Sequence, residues 1–126
     1  MQLQAYEKIN KGIRDAGGYL VAISPMTSAE NLKLHKKLAL SYPILSDLGN
    51  AYARQLDLVF QIEEKVKTAY LSKGLNISKF NGDDSWELPL TAVFLLDKQH
   101  TVLYEWTKSD YLQRPEPSDL LEIIKK

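Results

Sequence analysis

Two short apolar runs, Leu20 to Ile23 and Ala92 to Leu96, constrain the fold of this chain more tightly than any other feature. The segment Tyr19 to Ser24, rich in Val and Ile, is bounded by Gly17-Gly18 before it and Pro25 after it, and Thr91 to Leu96 is just as apolar. A strand without polar alternation is one covered on both faces, the condition met in a layered α/β sheet. Neither run approaches the roughly 20 residues that span a bilayer. The N-terminus is polar and helical in pattern rather than signal-like, so the expected address is cytoplasmic, with no membrane partner.

Helical periods fill the spaces between strands. From the N-terminus, Leu3, Tyr6, Ile9, Ile13 and Ala16 mark one face of an amphipathic helix. Gly17-Gly18 supplies its C-cap and a turn, because glycine enters left-handed backbone conformations without steric cost. Thr27 followed by Glu30 is a capping box, after which Leu32, His35, Leu38 and Ala39 trace the apolar face of a second helix, with Lys33, Lys36 and Lys37 opposite. Tyr42 to Ser46 reads as a strand, and Asp47 as the cap of a third helix through Leu48, Ala51, Tyr52 and Leu56. Asp57 to Lys73 has mixed helical character, and Leu75 to Glu87, rich in Asn, Gly, Asp and Ser, reads as loop. Thr91 to Leu96 and His100 to Trp106 form a hairpin across Asp97 to Gln99, with Val102, Tyr104 and Trp106 alternating against Thr101, Leu103 and Glu105. Pro115-Glu116-Pro117-Ser118 opens a last helix carrying Leu120, Leu121, Ile123 and Ile124. No Pro/Gly/Ser linker interrupts the sequence, so residues 1–126 are expected to form a single domain.

Charge and cysteine content exclude whole classes of function. Sixteen basic residues balance sixteen acidic ones, which removes the electrostatic footprint that nucleic-acid binding needs. The 126 residues contain no cysteine, so this chain holds no disulfide framework, thiolate metal site, redox thiol or cysteine nucleophile. No cofactor motif is present: Gly17-Gly18 follows a helix and precedes a strand, the reverse of a dinucleotide or phosphate loop.

Four blocks carry a family resemblance: Leu20-Val21-Ala22-Ile23-Ser24-Pro25, Tyr42-Pro43-Ile44-Leu45-Ser46-Asp47, Asn81-Gly82-Asp83-Asp84-Ser85-Trp86-Glu87-Leu88-Pro89, and Ala92-Val93-Phe94-Leu95-Leu96-Asp97. In order and spacing, from Leu3 to the C-terminus, they resemble the peroxiredoxin-like branch of the alkyl hydroperoxide reductase and thiol-specific antioxidant (AhpC/TSA) family. The resemblance implies a thioredoxin-like three-layer α/β/α fold, with a mixed sheet, a C-terminal β-hairpin and a C-terminal helix. It also implies thiol-dependent reduction of peroxides or disulfides as the family activity. In that family a central strand and a Trp-Cys-Pro-x-Cys type turn precede the segment matching Leu3 to Tyr6, so the domain is expected to be N-terminally truncated, incomplete at the centre of its sheet, and catalytically inactive. The slot so implied, between Leu20 to Ser24 and Ala92 to Leu96, would leave buried backbone groups unpaired at a cost of about 1 to 3 kcal/mol each. Either those strands close on each other or a second copy supplies the pairing. A homodimer through the unpaired strands is the favoured expectation. A cysteine-free binding or regulatory module, using the cleft or the sheet edge to hold a protein partner, is the alternative.

The remaining candidate residues read first as structure. Trp86 and Pro89 are implied by the resemblance to line a residual cleft, with Thr91 standing where relatives place an arginine or the proline before the strand. Asp83, Asp84 and Glu87 form the one dense carboxylate group, which offers a cation site or an acid/base pair; Asn-Gly-Asp-Asp is equally a turn sequence and is weighted that way. His35 and His100 lack a second ligand at metal spacing, so no metal site is expected. Ser24 and Ser46 have no His and Asp arranged as a triad. Tyr19, Tyr104, Trp106 and Tyr111 read as an aromatic patch that covers core around the hairpin.

Overall fold

The computed structural model describes residues 2–107 and 116–125. Its elements run α1 (Gln2–Asp15), β1 (Ala22–Ser24), α2 (Ser28–Leu38), β2 (Ile44–Ser46), a 3-10 turn (Leu48–Asn50), α3 (Ala51–Gln55), β3 (Val59–Gln61), α4 (Glu64–Ser72), α5 (Ile77–Asn81), β4 (Glu87–Pro89), β5 (Ala92–Leu96), β6 (Val102–Thr107) and α6 (Pro117–Lys125). They fall into two compact units. One takes its residues from Met1–Leu20, Leu40–Tyr42 and Leu90–Lys126, the other from Val21–Ala39 and Pro43–Pro89.

In the first unit, α1 packs on α6, and β5 pairs antiparallel with β6. Gly12 belongs in the middle of α1, despite its low helix propensity, because a Cβ there would stand 3.0 Å from Leu121 Cδ2. Gly17, at φ +85°, ends α1 as the sequence predicts, and Gly18 N–H closes onto Ile13 O at 2.8 Å. Of the expected aromatic patch, Trp106 is buried and Tyr104 half-buried, while Tyr19 stands exposed and covers no core. Tyr111 and Pro115 lie outside the described residues. The segment 40–42 is stapled to α1: Glu7 accepts from the backbone and hydroxyl of Ser41, Asn10 Nδ2 donates to Ser41 Oγ at 2.7 Å, and Tyr42 donates to Leu3 O at 2.6 Å.

In the second unit, β1 runs parallel to β2 and β3 antiparallel to β4. The parallel and antiparallel pairings of a mixed sheet are thus both present, divided among three two-stranded ladders. Thr27 caps α2 through a bond from Glu30 N–H to its Oγ1 at 3.3 Å. The reciprocal half of the capping box is not made, because Thr27 N–H donates to Phe80 O at 2.9 Å and the Glu30 carboxylate turns to Lys33.

Four expectations need correction. The strand expected over Tyr19 to Ser24 forms only from Ala22 to Ser24, and it is not covered on both faces, since Ile23 is 51% exposed. The inner face of α2 is not set by Leu32, which is 52% exposed; the buried residue is Asn31, which hydrogen bonds hold inside. Asp57 to Lys73 is not helical throughout, because Val59–Gln61 pairs with Glu87–Pro89. Leu75 to Glu87 is not a plain loop: Asn76 Oδ1 accepts from Ser78 N–H and starts α5, which ends at Gly82 in the left-handed conformation.

Candidate functional site

The strand β4 and the turn before it gather the residues singled out by sequence. Asp83 Oδ1 accepts from Ser85 N–H at 3.0 Å and from Ser85 Oγ at 2.7 Å, the Asx-turn bonding its sequence suggests. Trp86 follows at φ +54°, rare for a bulky side chain, with its ring buried. The turn is over-determined: Ile62 N–H and Gln61 Nε2 both donate to Trp86 O, at 2.9 and 3.3 Å. Lys67 Nζ sits 5.2 Å from the centre of the indole ring, a cation–π contact.

Glu87 is committed to Arg54, whose two terminal nitrogens donate to its two oxygens at 3.2 and 3.3 Å. The hydrogen bond and the charge of Glu87 push the guanidinium further above its ordinary range. Asn50, 1% exposed and at φ +58°, donates from Nδ2 to Glu87 O at 3.1 Å. Pro89 ends the β3–β4 ladder opposite Val59. Trp86 and Pro89 therefore belong to one strand and its turn, whereas Thr91 is exposed beside β5 in the other unit. Among the described residues, no group of three His, Asp or Glu is placed to hold a metal ion.

A shallow groove of about 250 Å³ lies between α2 and β2, lined by Ser28, Asn31, Leu32, His35, Pro43, Ile44 and Ser46. Asn31, 2% exposed, donates from Nδ2 to Met26 O at 3.2 Å and Ser46 Oγ at 2.8 Å. His35 thus lines the groove, and Ser46 serves as an acceptor rather than as a nucleophile. The sequence signal for Asn31 was the polar residue one position away from the apolar stripe, where rotation of the helix exchanges inside for outside.

The opposite face of the β1–β2 ladder presents a different surface. Ile23 pairs with Leu45 in register, and each is 51% exposed. Ala22 N–H donates to Pro43 O at 3.0 Å, and Ser24 O accepts from Asp47 N–H at 2.8 Å. Because N–H and C=O groups of alternate strand residues point to opposite edges, Ala22 and Ser24 serve β2, and the backbone of Ile23 faces the outer edge.

No family model matches the chain, and no curated protein matches its sequence. Among the described residues, no helix is long and apolar enough to cross a membrane. The structure is similar to that of the bacterioferritin comigratory protein of Xanthomonas campestris, a protein with alkyl peroxide reduction activity. The TM-score is 0.69 at 14% sequence identity, over 98% of this chain and 67% of that one. At that identity the likeness establishes architecture: the chain has a mixed α/β, thioredoxin-like fold.

Proposed function

We propose that this chain is a peroxiredoxin-like scaffold that carries no thiol chemistry of its own and acts by binding. The single observation that supports this reading is the conjunction of an alkyl peroxide reductase's architecture with a complete lack of cysteine in this chain. Peroxide reduction of that type needs a thiolate whose sulfur attacks one peroxide oxygen, breaks the O–O bond and becomes a sulfenic acid that a second thiol reduces. The sulfur atoms here are thioethers, at Met1 and Met26. A thioether consumes one peroxide as it becomes a sulfoxide and does not turn over unaided.

The test is the consumption of hydrogen peroxide and of an alkyl hydroperoxide by the purified chain with excess dithiothreitol, against a protein-free blank. The expected rate equals the blank. Multiple turnovers would refute the reading.

The binding half of the proposal draws on the β1–β2 ladder. A half-exposed Ile-Leu pair on a strand whose outer edge meets no other strand among the described residues is the kind of surface that takes up a further strand, and it supports the sheet edge as the docking element.

A further inference from the structure

We infer that β1 is a self-pairing edge, and that a second copy of this chain docks on it as an antiparallel strand centred on Ile23. The inference rests on the binding reading above and names its partner. Its first support is the backbone: the β1–β2 bonds occupy Ala22 and Ser24, so Ile23 directs both its N–H and its C=O outward. A two-fold axis beside Ile23 then makes a reciprocal pair of bonds, each Ile23 N–H donating to the partner's Ile23 C=O. Val21 N–H comes opposite the partner's Pro25 C=O in the same register. Pro25 has no N–H to return, so the pairing stops there and does not propagate along the chain.

The second support is the side chains. In this arrangement the two Ile23 side chains lie directly opposite each other on one face, and each already neighbours its own Leu45. The half-exposed pair becomes a continuous apolar stripe of Leu45, Ile23 and the same two residues of the partner across a four-stranded sheet.

The third support is charge. Edge strands that stay single are blunted by lysines or other charges, yet no charged residue occurs between Asp15 and Glu30. The net charge of the chain is zero, so approach of a second copy meets no overall repulsion. A heterologous partner would need an edge of its own, whereas every copy of this chain brings the matching one.

Sedimentation equilibrium tests this with the wild type, Ile23→Lys and Ile23→Pro. The lysine puts like charges face to face at the two-fold axis. The proline removes the outward N–H and leaves the β2 ladder its bonds. Far-ultraviolet circular dichroism verifies that each variant folds, and the exposure of Ile23 favours that for lysine.

A wild-type dimer at high micromolar concentration, with dissociation at least tenfold stronger in either folded variant, is the expected result. A wild type that stays monomeric, or a dimer that both variants leave unchanged, would overturn the inference. Peroxide turnover would sink the non-catalytic reading without altering the oligomeric state, so the two failures are distinguishable.

Discussion

Replacing Tyr42 by Phe removes one hydroxyl from a side chain that is 2% exposed and donates to Leu3 O at 2.6 Å. At neutral pH the loss of one such bond costs about 1 kcal/mol, because the Leu3 carbonyl still lies within the hydrogen-bonded ladder of α1. A second effect is specific to alkaline pH. Burial first, then the negative charge of Glu7 and the neighbouring Tyr6, push the Tyr42 hydroxyl up to about 12 from 10.0.

Between those values the unfolded chain releases a proton that the folded chain keeps, so unfolding gains with rising pH. The contribution of Tyr42 is complete below pH 10.0 and is lost as pH rises through about 12. Two units correspond to at most about 2.7 kcal/mol. Urea denaturation of wild type and Tyr42→Phe from pH 7 to 11.5 should show a gap of about 1 kcal/mol at neutral pH. That gap should narrow above pH 10 and change sign before pH 12, since the phenylalanine cannot ionise. A gap that is constant or that widens over this range would refute the placement of the hydroxyl.

Three further outcomes follow from the second unit. Asn50→Ala should cost about 2 kcal/mol by chemical denaturation, from the lost bond to Glu87 O and from alanine in a left-handed conformation; Asn50→Gly should cost less, since only the bond is lost. Asp47→Ala should cost about 1 kcal/mol, because Asp47 Oδ1 and Oδ2 accept from Tyr52 and Ala53 N–H at 2.8 and 3.0 Å; Asp47→Asn should retain part of that. Lys67→Met should cost about 0.5 to 1 kcal/mol in thermal unfolding and change Trp86 fluorescence, whereas Lys65→Met, on the other side of the same helix, should do neither.

The sequence was legible where a local rule has one answer. Gly17 at the end of α1, Thr27 at the start of α2 and the hairpin of β5 and β6 each follow from a cap or an alternation that needs no long-range information. The thioredoxin-like architecture was legible through the order of four sequence blocks.

What escaped was decided by distant partners. Val59–Gln61 becomes a strand because Glu87–Pro89 lies beside it, and that pairing is invisible in a three-residue window. Asn31, Asn50 and Asn10 are buried because their amides reach Ser46, Glu87 and Ser41, so polarity misled where hydrogen bonding decided. At the candidate site, Trp86 was identifiable as a residue of interest, but its left-handed backbone and its contact with Lys67 were not. The half-exposure of Ile23 was also hidden, because an uninterrupted apolar run reads as buried whether or not anything covers it.

Site-resolved hydrogen exchange at the Val21 and Ile23 amides tests most directly the claim that this chain works by pairing rather than by chemistry. In dilute protein these amides should exchange as freely as those of exposed loops, and they should become protected as concentration rises. Protection already complete in the dilute monomer, or no protection at any concentration, would contradict it.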